Sequence, residues 1–73
     1  MNYNNKVFTL KDGKKYMTIE QVEFEKKTYL YLVNVENDLD SMYVEINEDT
    51  ISPIEPWLFN NYILPLFIQK LAK

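Results

Sequence analysis

The chain has no cysteine and no histidine. Lack of cysteine excludes disulfides, thiolate zinc sites and cysteine nucleophiles. Lack of histidine removes the imidazole base and the commonest metal ligand. All eight basic residues are lysine, so the bidentate guanidinium contacts that read phosphate and guanine are missing. Nucleic acid is therefore not an expected partner. With a single glycine, Gly13, no glycine-rich phosphate cradle can be built. Long apolar runs are absent too. The stretch from Trp57 to Ala72 is interrupted by Asn60, Asn61, Gln69 and Lys70, and crossing a bilayer takes about 20 mostly apolar residues. The start, Met-Asn-Tyr-Asn-Asn-Lys, carries no apolar signal segment, so the cytosol is the expected compartment.

What remains is small and acidic. Seventy-three residues imply one domain, 1–73, with a sheet over about 6–54 and a helical segment over about 56–72. Chains this short bury only about 60% of their unfolded surface. With disulfides and metals excluded, oligomerisation or tight packing must supplement the core. Net charge is −3, but residues 28–55 hold seven acids and no base. That block reads either as a solvated face or as a docking patch for a basic partner. The richness in Lys, Asn and Ile fits an AT-rich genome.

The pattern along the chain is that of a β-meander. Val7 to Leu10 favours extended structure, and Asp12-Gly13 is a hairpin signal. Lys15 to Glu25 reads as a long strand whose apolar phase switches, which requires a β-bulge near Glu20-Gln21. Thr28 to Val35, "TYLYLVNV", is apolar on both faces and so central, with Tyr29, Tyr31 and Val33 opposite Leu30 and Leu32. Glu36 to Ser41 is an acidic loop; Met42 to Ile46 and Thr50 to Ile54 are further strands. Pro53 puts the last at an edge. The expected fold is α+β: a five-stranded antiparallel meander followed by a C-terminal helix kinked or broken at Pro65.

That helix should begin at Pro56, after Glu55. Pro65 opposes its continuation, since a mid-helix proline costs roughly 3 kcal/mol. At about 100° per residue, Leu58, Phe59, Tyr62 and Ile63 fall on one side. Leu64, Phe67, Ile68 and Leu71 fall on nearly the opposite side. Those four are the expected oligomer interface, because a small sheet offers one helix-sized face.

Glu36, Asp38 and Asp40 alternate as calcium ligands do, but no glycine or bidentate glutamate accompanies them, and no metal or cofactor is expected. Nor do the few hydroxyls, lysines and carboxylates form a catalytic pattern. The expected partner-binding residues are Glu36, Asp38, Asp40, Tyr43 and Trp57, aromatics being common interface anchors. A second reading uses Tyr29 and Tyr31 as a stacking platform for a nucleotide-like signal, with Lys14, Lys15, Lys26 and Lys27 as a basic rim.

The segments "FTLKDGKKY", "VEFEKKTYLYLV", "SMYVEI" and "ISPIEPWLF", spanning residues 7–59, resemble a family of small uncharacterised Firmicutes proteins. The shared plan is a strand, a glycine turn, two long strands, an acidic loop and a "PIE" edge leading into a hydrophobic helix. The chain departs at Lys26-Lys27, where a glycine is expected, and "PLFIQKLAK" lies outside the resemblance. The family has no established function, so the resemblance implies fold and origin. Such proteins are similar to those carried by phages and mobile elements, many of which bind and block host enzymes, immune effectors included. The expectation is a non-enzymatic inhibitor or adaptor of a host protein with a basic surface, acting as a homo-oligomer. A small-molecule sponge is the alternative.

Overall fold

A computed structural model describes residues 2–72. Five antiparallel strands follow one another in space as in sequence: β1 Val7–Thr9, β2 Lys15–Phe24, β3 Lys27–Asn34, β4 Ser41–Asn47 and β5 Thr50–Pro53. A helical segment, Pro56 to Leu71, closes the chain.

The β2 phase switch is a bulge, one position earlier than expected. Thr18 pairs with Leu32 and Glu20 with Tyr31, so Ile19 is the extra residue. The insertion puts Tyr16, Thr18 and Gln21 on one face and Met17, Val22 and Phe24 on the other. Both halves of β2 then bury their apolar side chains.

Tight turns make three of the four connections, by two means. At the first, the Gly13 N–H donates to the Leu10 carbonyl at 2.9 Å, and only Gly13 takes positive φ, +83°. The two-residue turns Glu25-Lys26 and Glu48-Asp49 have positive φ at both positions, without glycine. This is the mirror-image turn that matches strand twist, and it strains ordinary residues. Lys26 holds φ +68° there, a conformation that a glycine would adopt without strain.

Two clusters form the core, one on each face. On the first face Tyr3, Tyr16, Leu30, Leu32, Val44 and Ile46 are buried. Phe8 and Leu10 from the β1 side and Ile51 from β5 pack onto the same cluster. The sheet therefore curls until its two edges share a core. The Lys6–Asp49 ion pair, 3.3 Å, links those edges at one end. The central strand's second face, expected to need a partner, is covered by the chain itself. On the opposite face, Val22, Tyr29, Ile63 and Phe67 are buried beneath the helix.

The helix passes Pro65 by widening its turn. α1 spans Pro56–Leu58, capped by the Glu55 side chain, which accepts from the Leu58 N–H at 2.8 Å. A π-turn covers Phe59–Ile63, with the Leu64 N–H donating to the Phe59 carbonyl. α2 spans Leu64–Leu71, and Pro65 falls in its first turn. The Asn61 amide donates to the Trp57 carbonyl at 2.8 Å, satisfying an acceptor in the altered register. One extra residue in the turn rotates everything after it by about 100°. That brings the second apolar group back toward the first, so Phe67 joins Ile63 on the sheet.

Candidate docking site

At one end of the sheet, residues 35–40 join β3 to β4. The loop is short and acidic, so it stays in water, and asparagines fold it. Asn34 Oδ1 accepts from the Glu36 N–H at 2.8 Å, and Asn37 Oδ1 from the Leu39 N–H at 3.1 Å. These are Asx turns, in which a side-chain oxygen stands in for a backbone acceptor. The Asp40 N–H donates to the Asn37 carbonyl at 3.0 Å, and the Asn34 N–H to the Asp40 carbonyl at 2.9 Å.

Asp40 is the clamp. Its Oδ2 accepts from the buried Tyr16 hydroxyl at 2.6 Å and from the Asn34 amide at 3.1 Å. These two hydrogen bonds, with Lys14 nearby, hold its carboxyl below the usual aspartate range. The same contact, with burial, pushes the Tyr16 hydroxyl up to about 12. Charge-assisted bonds of this length are the strong ones. They anchor the loop to β2 across the sheet.

The clamp leaves Leu39 at the apex, 90% exposed, between the exposed Asp38 and the clamped Asp40. No packing role explains an apolar side chain held in water. Glu36 and Asp38 stand beside it with free carboxylates. Across a polar hollow of about 520 Å³ lie Asp12, Gly13, Lys14 and Lys15. The arrangement is an apolar tip on a hydrogen-bonded loop, with an acidic rim.

The expected partner-binding residues divide. Glu36 and Asp38 belong to the tip. Asp40 lies beneath it, half-buried, its carboxylate engaged by Tyr16 and Asn34. Tyr43 is not at this surface: its ring packs under the helix against Tyr31, Phe59 and Phe67, at centroid distances of 4.7, 4.8 and 5.0 Å. Trp57 is 61% exposed but stands elsewhere. It meets Tyr62 at 5.5 Å, and Tyr62 stacks at 5.2 Å on Phe24, at the far end of β2 from the loop.

Two other groups also divide. Phe67, expected at an oligomer interface, is 0% exposed because the π-turn rotates it onto the sheet. Leu64, Ile68 and Leu71 remain along the outer side of α2 at helical spacing, half-buried or exposed. The tyrosine platform is not open. Tyr29 is buried and Tyr31 half-buried, both within the cluster that the helix covers. The four lysines sit at opposite ends of the sheet. Lys14 and Lys15 lie near the acidic loop, whereas Lys26 and Lys27 lie at the β2–β3 turn beside Glu45 and Glu48.

Sequence reasoning missed Leu39. Its signal was present: one leucine between aspartates, in a segment with no strand or helix periodicity to bury it. Among the described residues no group of carboxylates is gathered to hold a metal ion, and no helix is long and apolar enough to cross a membrane. No protein family, curated protein or solved structure matches the chain.

Proposed function

We propose that this protein is a non-enzymatic interaction module that binds and blocks, or bridges, a host protein through the Leu39 loop. The observation that carries this reading is the fully exposed leucine on a loop already fixed by hydrogen bonds. Preorganisation lowers the ordering cost of binding, and a central apolar anchor within a charged rim is how small interfaces concentrate energy. The complementary surface is an apolar pocket with a basic rim, since Glu36 and Asp38 flank the anchor. Carriage on a phage or mobile element of a Firmicutes host is part of the proposal, resting on the sequence resemblance. Self-association is proposed through Leu64, Ile68 and Leu71, the apolar line left outside the core.

The test is capture followed by measurement. Immobilised protein draws its partner from a Firmicutes lysate; the captured protein is identified, purified and titrated by calorimetry. Leu39→Ser is expected to weaken binding more than about tenfold, as anchors do. Reversing Glu36 and Asp38 to lysine is expected to slow association and flatten its salt dependence. Affinity unchanged within about twofold for both variants contradicts the reading.

A further inference from the structure

A second surface lies at the first edge of the sheet. The Thr18 N–H donates to the Lys6 carbonyl and the Leu10 N–H to the Lys14 carbonyl, each at 2.9 Å. Backbone groups alternate in direction along a strand. The Lys6 carbonyl and the backbone groups of Phe8 and Leu10 therefore face β2, while the N–H and C=O groups of Val7 and Thr9 point away from it, unused by the sheet. The other edge is blunted. Pro53 in β5 has no N–H to offer a new neighbour. β1 carries no proline, no bulge and no charge within Val7–Thr9, the usual defences of an edge.

Apolar surface flanks this edge on both sides of the sheet. On the helix side, Val7 pairs with Met17 and Met17 with Val33, a direct row across three strands. Val7, Ile19 and Val35 are each between 43 and 48% exposed. The helix packs instead over Val22, Tyr29, Tyr31 and Tyr43. On the other side, Leu10 and Ile51 line an open cleft of about 420 Å³ with Lys11 and Asp12, where the β1 and β5 edges face each other. A strand laid beside β1 would place alternate side chains on the row and in the cleft.

We propose that β1 receives an extended segment of a partner protein, apolar at alternate positions and acidic at its flanks. It would add to the sheet antiparallel to β1. Main-chain bonds to Val7 and Thr9 would supply affinity, and the two apolar flanks specificity. The acidic preference follows from the charges in place. Lys11 and Lys15, the latter opposite Thr9, are exposed at this edge and outnumber its one acid, Asp12, whose Oδ1 already accepts from the Lys14 N–H at 2.9 Å; Lys6 is paired with Asp49. A second copy of the chain fits less well, because it would bring its own Lys11 and Lys15 against these. This proposal does not rest on the Leu39 loop, and Leu39→Ser leaves it intact.

The probe is a fluorescein-labelled peptide, Asp-Glu-Val-Thr-Val-Thr-Val-Glu-Asp, titrated by anisotropy against the full chain, with amide hydrogen exchange read residue by residue. Binding is expected together with slowed exchange at Val7 and Thr9. A peptide with lysine flanks, or with proline in place of the central valine, is expected to bind at least about tenfold more weakly. Thr9→Pro and Val7→Glu are each expected to reduce affinity about tenfold, while the exchange pattern of β3 shows that the fold persists. No binding up to about 1 mM, or binding without protection of these two amides, overturns the proposal. Protection of the same amides in the peptide-free protein, lost on dilution, also overturns it and assigns the edge to a second copy.

Discussion

Phe67→Ala tests whether this side chain belongs to the chain's own core or to a second subunit. Its ring is fully buried, 5.0 Å from Tyr43 and 6.5 Å from Tyr31, both in edge-on contact, in a cluster with Val22, Tyr29 and Ile63. Removing a buried phenylalanine costs about 3–5 kcal/mol in transfer and cavity terms. A domain this size has roughly 4–11 kcal/mol in total, at about 0.05–0.15 kcal/mol per residue. The substitution should therefore remove a large part of the stability and bring the chain close to unfolding at ordinary temperature. Urea unfolding, followed by Trp57 fluorescence and by circular dichroism, gives the loss. Repeating it at two protein concentrations about a hundredfold apart separates the two locations, because stability held by an interface rises with concentration. Ile68→Ala, one residue on and exposed, should cost no more than about 0.5 kcal/mol in the monomer. A loss below about 1 kcal/mol for Phe67→Ala, or a loss that depends on concentration, refutes the helix packing described.

Further outcomes follow from single features. Thr18 Oγ1 is buried with no hydrogen-bond partner; Thr18→Val should raise stability by about 1–2 kcal/mol, or about 4–16 °C in Tm, and a destabilised variant contradicts that reading. Lys26→Gly and Glu48→Gly relieve positive φ at the two tight turns and should each add about 1 kcal/mol by urea melt, the gains adding because the turns are independent. The Tyr16–Asp40 contact sets a pH window of its own. Asp40's folded value is depressed, so its contribution is present above the unfolded aspartate range and lost as pH falls through the folded value. Tyr16's folded value is raised, so its contribution is lost as pH climbs from the normal tyrosine value of 10 toward about 12. The methyl resonances of Leu39 should broaden at both extremes; in Tyr16→Phe they should be broadened at neutral pH as well.

The strands were legible because their signals are local. Alternation in "TYLYLV" and Pro53 near the end of β5 place elements to within a residue or two. The β2 phase switch shows as a change of parity, and only its position, Ile19, had to come from the pairing. The π-turn was visible only as a contradiction. Leu58 to Ile63 and Leu64 to Leu71 disagree in direction at constant rotation, and a chain can resolve that by breaking, by pairing with another copy or by adding a residue to one turn. Nothing in the composition chooses among these, and the wrong choice carried Phe67 to the outside. Tyr29 and Tyr31 illustrate the same limit. Alternation correctly puts Tyr29 and Tyr31 on one face, but which face the helix covers is a tertiary fact. The Tyr16–Asp40 clamp links residues 24 apart in sequence, beyond any local pattern. Leu39, by contrast, was readable as a leucine with nowhere to be buried.

The central claim is that the Leu39 loop is already fixed before any partner arrives. Backbone ¹⁵N relaxation of residues 36–40 in the free protein tests it most directly. The account predicts order parameters close to those of β3 and β4, about 0.8 or higher, falling in Asp40→Ala. Values below about 0.6 in the wild-type loop, with the strands rigid, would contradict it and leave Leu39 as the tip of an ordinary mobile turn.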